Sequence, residues 1–128
     1  VMSEELNSET NKWAGGVHVA AILLAIFTSW SAGFGGMVAG LVVWLIKKDE
    51  SPFIRKHAAN AFNFHLAMCI IMVATWLFVI LTLGIGILVI WPVWLILGLI
   101  WLWYSIRAAI DGFDGKDCHY PFSIKLLS

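Results

Sequence analysis

The chain has 128 residues, of which 61% are hydrophobic and 12% charged, with eight Lys and Arg balancing eight Asp and Glu. An ordinary soluble domain carries roughly 25% charged residues, and a domain this small buries too little of its area to hide so much apolar surface, so a lone water-soluble fold is excluded. Length sets a single domain, and zero net charge without a basic stripe excludes nucleic acid as a partner.

The opening VMSEELNSETNKW is polar and acidic, unlike the basic start of a secretory signal. Val1 ahead of Met2 is set aside, and residues 1–10 read as a polar tail. From Val17 to Ile46 there is no charged residue. As one helix this run would measure about 45 Å, against a hydrocarbon layer of about 30 Å. Ser31-Ala32-Gly33-Phe34-Gly35-Gly36 interrupts it with a strong turn signal, which predicts two helices, over 11–30 and 36–47. The second is short for a span and fits only if it tilts little or is sheltered by its neighbours.

Next comes KKDESPFIRKHAANAFNF, with six of the sixteen charged residues in its first ten positions. Ser51 suits an N-cap and Pro52 the first helical position, where its missing N–H is not needed. The third helix is predicted over 52–83, longer than a bilayer is thick, so its turns from Phe53 to Asn60 belong in the headgroup zone. Leu83-Gly84-Ile85-Gly86 ends it. The fourth is predicted over 87–110, with Pro92 as a kink near its outer end. Gly112 and Gly115 then release a polar tail, 111–128. Cys69 and Cys118 read as free thiols, one in lipid and one facing the cytosol.

The expected fold is all-α, a polytopic membrane protein of four transmembrane helices. An even number of crossings places both termini and the loop from Lys47 to Lys56 on one side. All of Lys12, Lys47, Lys48, Arg55, Lys56, Arg107, Lys116 and Lys125 then share that side, which is cytoplasmic by the positive-inside rule. Trp13, Trp44, Trp103 and Tyr104 fall near the inner interface and Trp30 near the outer, as an aromatic belt requires. A three-span arrangement would put Lys12 and the acidic N-terminus outside, and the glycine break argues against it.

Polar residues do enter the third helix. Lys56, Asn60, Asn63, Ala67 and Ala74 recur on one side of it. Small residues and amides let helices approach and bond across a contact, so this stripe reads first as helix packing. Gly98, Ser105, Ala109 and Gly112 offer the matching track on the fourth helix. The other reading is an inward-facing polar cleft lined by His57, Asn60, Asn63 and His65. His57 and His65 lie about 12 Å apart along the helix and cannot share one ion. His18 and His57 sit at similar depth and are the only pair placed to share a metal or haem, yet no Asp or Glu in a span completes a shell. No cofactor is expected. Lys47, Lys48, Arg55 and Lys56 around a helix N-terminus suit a lipid headgroup, although Asp49 and Glu50 offset their charge. No nucleophile–base pair, paired intramembrane carboxylates or phosphate-cradling glycine loop is present, so no enzyme is expected.

The order of an apolar helix with an early His, a Gly-rich turn, Lys48-Asp49-Glu50-Ser51-Pro52-Phe53 with His57, Ala61, Asn63 and Phe64, two further apolar spans and Tyr120-Pro121-Phe122 resembles a bacterial family. Its members are small four-helix membrane proteins without an assigned activity, distantly related to the import component of the chloroplast inner-envelope Tic translocon. The resemblance covers roughly residues 12–126, and Asp49, Ser51, Pro52, Phe53, Tyr120 and Pro121 are its motif positions. It implies a multi-pass protein of the bacterial inner membrane. The tail from Asp111 to Pro121 departs from the pattern, being longer and more acidic than a short Gly-Glu turn.

Two functions follow as expectations. One is a non-catalytic accessory or scaffold subunit of a larger membrane assembly, with membrane lipids and another integral protein or a second copy as partners. The alternative is a transport component using the polar cleft.

Overall fold

The computed structural model describes residues 2–27 and 34–128. Among them are four helices and no strand: α1 (Met2–Phe27), α2 (Phe34–Lys47), α3 (Pro52–Leu81) and α4 (Ile87–Phe113). Trp30 and the Ser31-Ala32-Gly33 part of the predicted turn lie outside the described residues.

The helices differ from their expected limits in several places, and α3 ends at Leu81, two residues earlier than expected. α1 begins at Met2 rather than Asn11, because neither Gly nor Pro occurs before Gly15 to stop it. α2 begins at Phe34, so Gly35 and Gly36 are helical. α4 runs through Gly112 to Phe113. Gly112 is not a terminator but a contact point: a Cβ there would strike the backbone of Ala14 and Gly15. The helix ends instead at Gly115, whose φ of 75° is the left-handed conformation glycine adopts freely.

The start of α3 is as its residues dictate. Ser51 Oγ accepts the Ile54 N–H at 3.2 Å, with Pro52 as first helical residue. At its other end Thr82 Oγ bonds back to Phe78 O and accepts the Gly86 N–H. Leu83 (φ 57°) and Gly84 (φ 88°) then reverse the chain within a few residues. Pro92 lies inside α4 and leaves the Leu88 carbonyl without its helical donor.

α2 packs along α3, α1 along α4, and α1 also against α2 and α3, whereas α3 and α4 barely approach one another. The Gly112 end of the small track of α4 therefore serves α1, not the polar stripe of α3 as expected, and Gly98 meets nothing among the described residues. Val17, Ala58 and Ala61 form the core where α1 meets α3, with Val43 and Trp44 of α2 against them. Gly40 permits the close approach of α2, since a Cβ there would come within 2.7 Å of Phe62 N and 2.9 Å of Ala58 O.

These contacts set relative depth. Gly40 lies against Ala58 and Phe62, and Gly36 against the ring of His65. The beginning of α2 is thus level with His65, and α3 continues beyond it for about 24 Å. α3 and α4 are long and apolar enough to cross a membrane; α2, at 14 residues, is not. The far halves of α3 and α4 are joined mainly by long side chains. Trp94 Nε1 donates to Thr75 Oγ1 at 2.8 Å, and the Trp76 and Trp94 rings lie 4.9 Å apart. Around them Ile70, Val73, Leu77, Ile80, Leu88 and Leu95 are exposed, and Leu83 at the turn keeps 91% of its surface open. The exposed apolar surface of this hairpin matches the length and composition of two membrane-crossing helices.

Candidate functional site

The most concentrated polar chemistry lies at the charged end of the bundle, where α1 and α3 meet the C-terminal tail. His18, one turn beyond Ala14, and His57, in the second turn of α3, are both fully buried. His18 Nε2 is 2.9 Å from His57 Nδ1. The outer nitrogens also have partners: His57 Nε2 is 2.8 Å from Lys116 O, and His18 Nδ1 is 2.6 Å from the Tyr120 hydroxyl.

One proton arrangement satisfies all four contacts when both rings are neutral. A carbonyl only accepts, so His57 Nε2 donates to Lys116 O and His57 Nδ1 is the acceptor. His18 Nε2 must then donate to it, His18 Nδ1 accepts, and Tyr120 Oη–H donates. The result is an unbroken chain, Tyr120 to His18 to His57 to Lys116, that ties the tail to two helices. Burial pushes the Tyr120 hydroxyl well above its usual pKa, keeping it protonated as this chain requires. Phe53 closes one side, its ring 4.6 Å from that of His57. On the other, Phe64 stacks on Tyr120 at 4.2 Å and touches Phe122.

Cys118 departs from expectation. It is not a solvent-facing thiol but is buried, with Asn60 Nδ2 donating to its Sγ at 3.4 Å. Burial raises its pKa to about 11, against the lowering effect of the Asn60 bond. One ring nitrogen each from His18 and His57 and the Cys118 sulfur lie within 4.8 Å of one another.

Asn63 has a separate task. Its Oδ1 accepts the N–H groups of Leu126 (3.0 Å) and Leu127 (2.9 Å), and its Nδ2 donates to Leu127 O at 2.8 Å. The tail alone takes up three of the four hydrogen-bonding positions of this amide. An Asn63→Leu variant is expected to lose about 1–3 kcal/mol and to free the tail. Trypsin should then cut after the exposed Lys125 much faster than in the wild type, and an unchanged cutting rate would refute the clamp.

His65 is two turns deeper and apart from these. It donates from Nδ1 to Ala61 O at 2.7 Å and accepts the Trp101 indole N–H at Nε2, 2.9 Å. The four residues expected to line one cleft therefore divide into three settings: His57 with His18, Asn60 and Asn63 under the tail, and His65 between α3 and α4. Asn60 and Asn63 do border a recess of ≈ 400 Å³, shared with Arg55, Lys56, Lys125 and Ser128.

Of the expected headgroup cations, Arg55 and Lys56 border this recess, while Lys47 and Lys48 are engaged elsewhere. Lys47 pairs with Glu50 at 2.8 Å and covers the Trp13 ring, while Lys48 covers Trp44. Lys56 pairs with Asp117 at 2.9 Å, and its ammonium holds that carboxyl below the usual range. Of the motif positions, Ser51 and Pro52 start α3, Phe53 covers His57, Asp49 lies in the α2–α3 turn, and Tyr120, followed by Pro121, joins the tail to His18.

Sequence reasoning placed His18 and His57 at one depth but missed Cys118, Tyr120 and the Lys116 carbonyl. The available signal was that His57, Asn63 and Phe64 belong to the same resemblance as Tyr120-Pro121-Phe122, and in the structure those two groups touch. A family model described as the magnetosome magnetite crystal formation protein family (MamF_MmsF) matches residues 9–127. No curated protein matches, and no solved structure does.

Proposed function

We infer the function from the premise that this chain belongs to the magnetosome magnetite crystal formation protein family: it is a non-catalytic, membrane-embedded accessory subunit of the machinery that forms magnetite crystals. The single observation that carries this reading is the match over nearly the whole chain, from residue 9 to residue 127. The apolar hairpin of α3 and α4 supports residence in a membrane.

The membrane proposed is that of the magnetosome, a narrower address than the bacterial inner membrane at large. α3 and α4 cross it. α1 and α2 enter from the same side, and α2, about 21 Å long, begins level with His65. This arrangement keeps the two termini and all Lys and Arg on the cytoplasmic face, as four full crossings would.

The accessory reading is preferred to a transport route because His57, Asn60, Asn63 and His65 are each engaged by a neighbouring helix or by the tail. Partners are lipids and another membrane protein or a second copy, reached through the exposed apolar sides of α3 and α4. Kinship with the Tic import component would add only a likeness of fold, which does not carry function. The test is deletion of the coding sequence in a magnetite-forming bacterium. Crystal size or number by electron microscopy should change and be restored by the wild-type chain. Crystals indistinguishable from the parent strain would overturn the reading.

A further inference from the structure

We propose that His18, His57 and Cys118 form a binding site for one divalent first-row transition ion, with the C-terminal tail as the element that completes it. This goes beyond membership of the crystal-formation machinery and stands independently of it.

The donor set is the first argument. Two imidazole nitrogens and a sulfur, all buried and within 4.8 Å of one another, are the ligands that ions such as Zn²⁺ or Co²⁺ select. Two of them come from helices fixed against each other in the core, and the third arrives on the tail. The facing nitrogens, now 2.9 Å apart, need to part by about 0.5 Å to reach the spacing of tetrahedral ligands at about 2.1 Å from a metal. The sulfur must move inward by about 1 Å, which the tail, a segment outside the helices, accommodates more readily than a helical residue.

The surroundings are the second argument. A metal-bound histidine holds its other nitrogen in a hydrogen bond to a carbonyl or another oxygen, which fixes its orientation. His57 already donates its outer nitrogen to Lys116 O, and His18 has the Tyr120 oxygen at 2.6 Å. Asn60 donates to the sulfur, as a thiolate ligand needs. Asp111 lies near enough to act electrostatically on Cys118 and favours a cation there, while Asp117 is already paired with Lys56.

The proton balance is simple. In the metal-free chain His18 carries its proton on Nε2 and accepts from Tyr120. On binding, that proton is relocated to Nδ1, where the Tyr120 oxygen becomes the acceptor, and Nε2 takes the metal. His57 keeps its proton on Nε2. Cys118 alone loses a proton to solvent, so one proton is released per ion bound. Three protein ligands leave a fourth position for water or another donor.

The test uses the full chain, purified in detergent, stripped with chelator and titrated with Co²⁺. A near-ultraviolet thiolate-to-cobalt charge-transfer band should appear, saturate at one ion per chain and be displaced by Zn²⁺. Cys118→Ser should abolish the band, and Tyr120→Phe should weaken binding about tenfold or more. Cys69→Ser and His119→Gln should leave it unchanged. Zn²⁺ should also raise the unfolding midpoint of the wild type but not that of Cys118→Ser, which separates a lost ligand from a lost fold. No band at millimolar Co²⁺, a band that survives Cys118→Ser, or one removed by Cys69→Ser overturns the site. None of these outcomes depends on whether crystals form normally, so failure here and failure of the functional reading are distinguishable.

Discussion

A cysteine placed at Ile85, in the turn between α3 and α4, is expected to react with a membrane-impermeant maleimide only from the face opposite the two termini. Ile85 is exposed at the tip of the hairpin, and Ser123 is exposed in the tail. In sealed vesicles of known orientation, Ile85→Cys and Ser123→Cys should label from opposite sides, each with a preference of about tenfold or more, because neither the charged reagent nor the polar tail crosses hydrocarbon freely. The wild type serves as the blank: Cys69 lies within the apolar part of α3 and Cys118 is buried. The reasoning is steric as well as electrostatic. The hairpin continues about 24 Å past the beginning of α2, and nothing among the described residues covers its sides. Water would meet rows of Leu, Ile and Val there, each worth about 1.5–3 kcal/mol when removed from it. Labelling of both positions from the same side would mean that the hairpin lies along the surface, and the membrane arrangement would fail.

How much of this could be read beforehand depended on how local the cause was. The start of α3 was fully legible, because Ser51 and Pro52 act on their own turn. The reversal around Gly84 was legible to within two residues, since the helix expected to run to Leu83 ends at Leu81, where Thr82 bonds back to it. Gly112 was misread for the opposite reason: its role is set by Ala14 and Gly15, about a hundred residues away, and a glycine needed for close approach looks the same in sequence as one that ends a helix. The stripe of small residues on α4 was recognised, but sequence alone did not say which helix it would meet. Cys118 shows the same limit. A thiol between Asp117 and His119 reads as solvated, and only the return of the tail to Asn60 and Asn63 buries it. Conversely, the similar depth of His18 and His57 followed from the place of each near the inner end of its helix, but that they touch came only from the packing of α1 on α3.

Replacing His57 by phenylalanine should destabilise the fold by about 1–3 kcal/mol, measured with chelator present so that no ion contributes. The substitution nearly preserves volume but removes an acceptor and a donor at once. His18 Nε2–H loses its partner 2.9 Å away, and Lys116 O loses one at 2.8 Å. His18 is fully buried, and an unpaired buried polar group costs about 1–3 kcal/mol, whereas Lys116 is exposed and water takes the place of the ring at its carbonyl. Detergent or thermal unfolding followed by tryptophan fluorescence has ample signal, since the chain carries eight tryptophans. His18→Phe should cost a similar amount, by orphaning His57 Nδ1 and the Tyr120 hydroxyl. The decisive quantity is the double variant. If the two rings act as links of one proton-ordered chain, removing the second after the first should cost less than removing it alone, with a coupling of about 0.5–3 kcal/mol. Strict additivity would mean that the histidines contribute through packing alone, and the chain from Tyr120 to Lys116 would lose its energetic meaning. Tyr120→Phe supplies the inner control: it keeps the stacking on Phe64 and deletes only the hydroxyl. A loss near 1 kcal/mol there, absent when His18 is already phenylalanine, would locate the coupling in that one hydrogen bond.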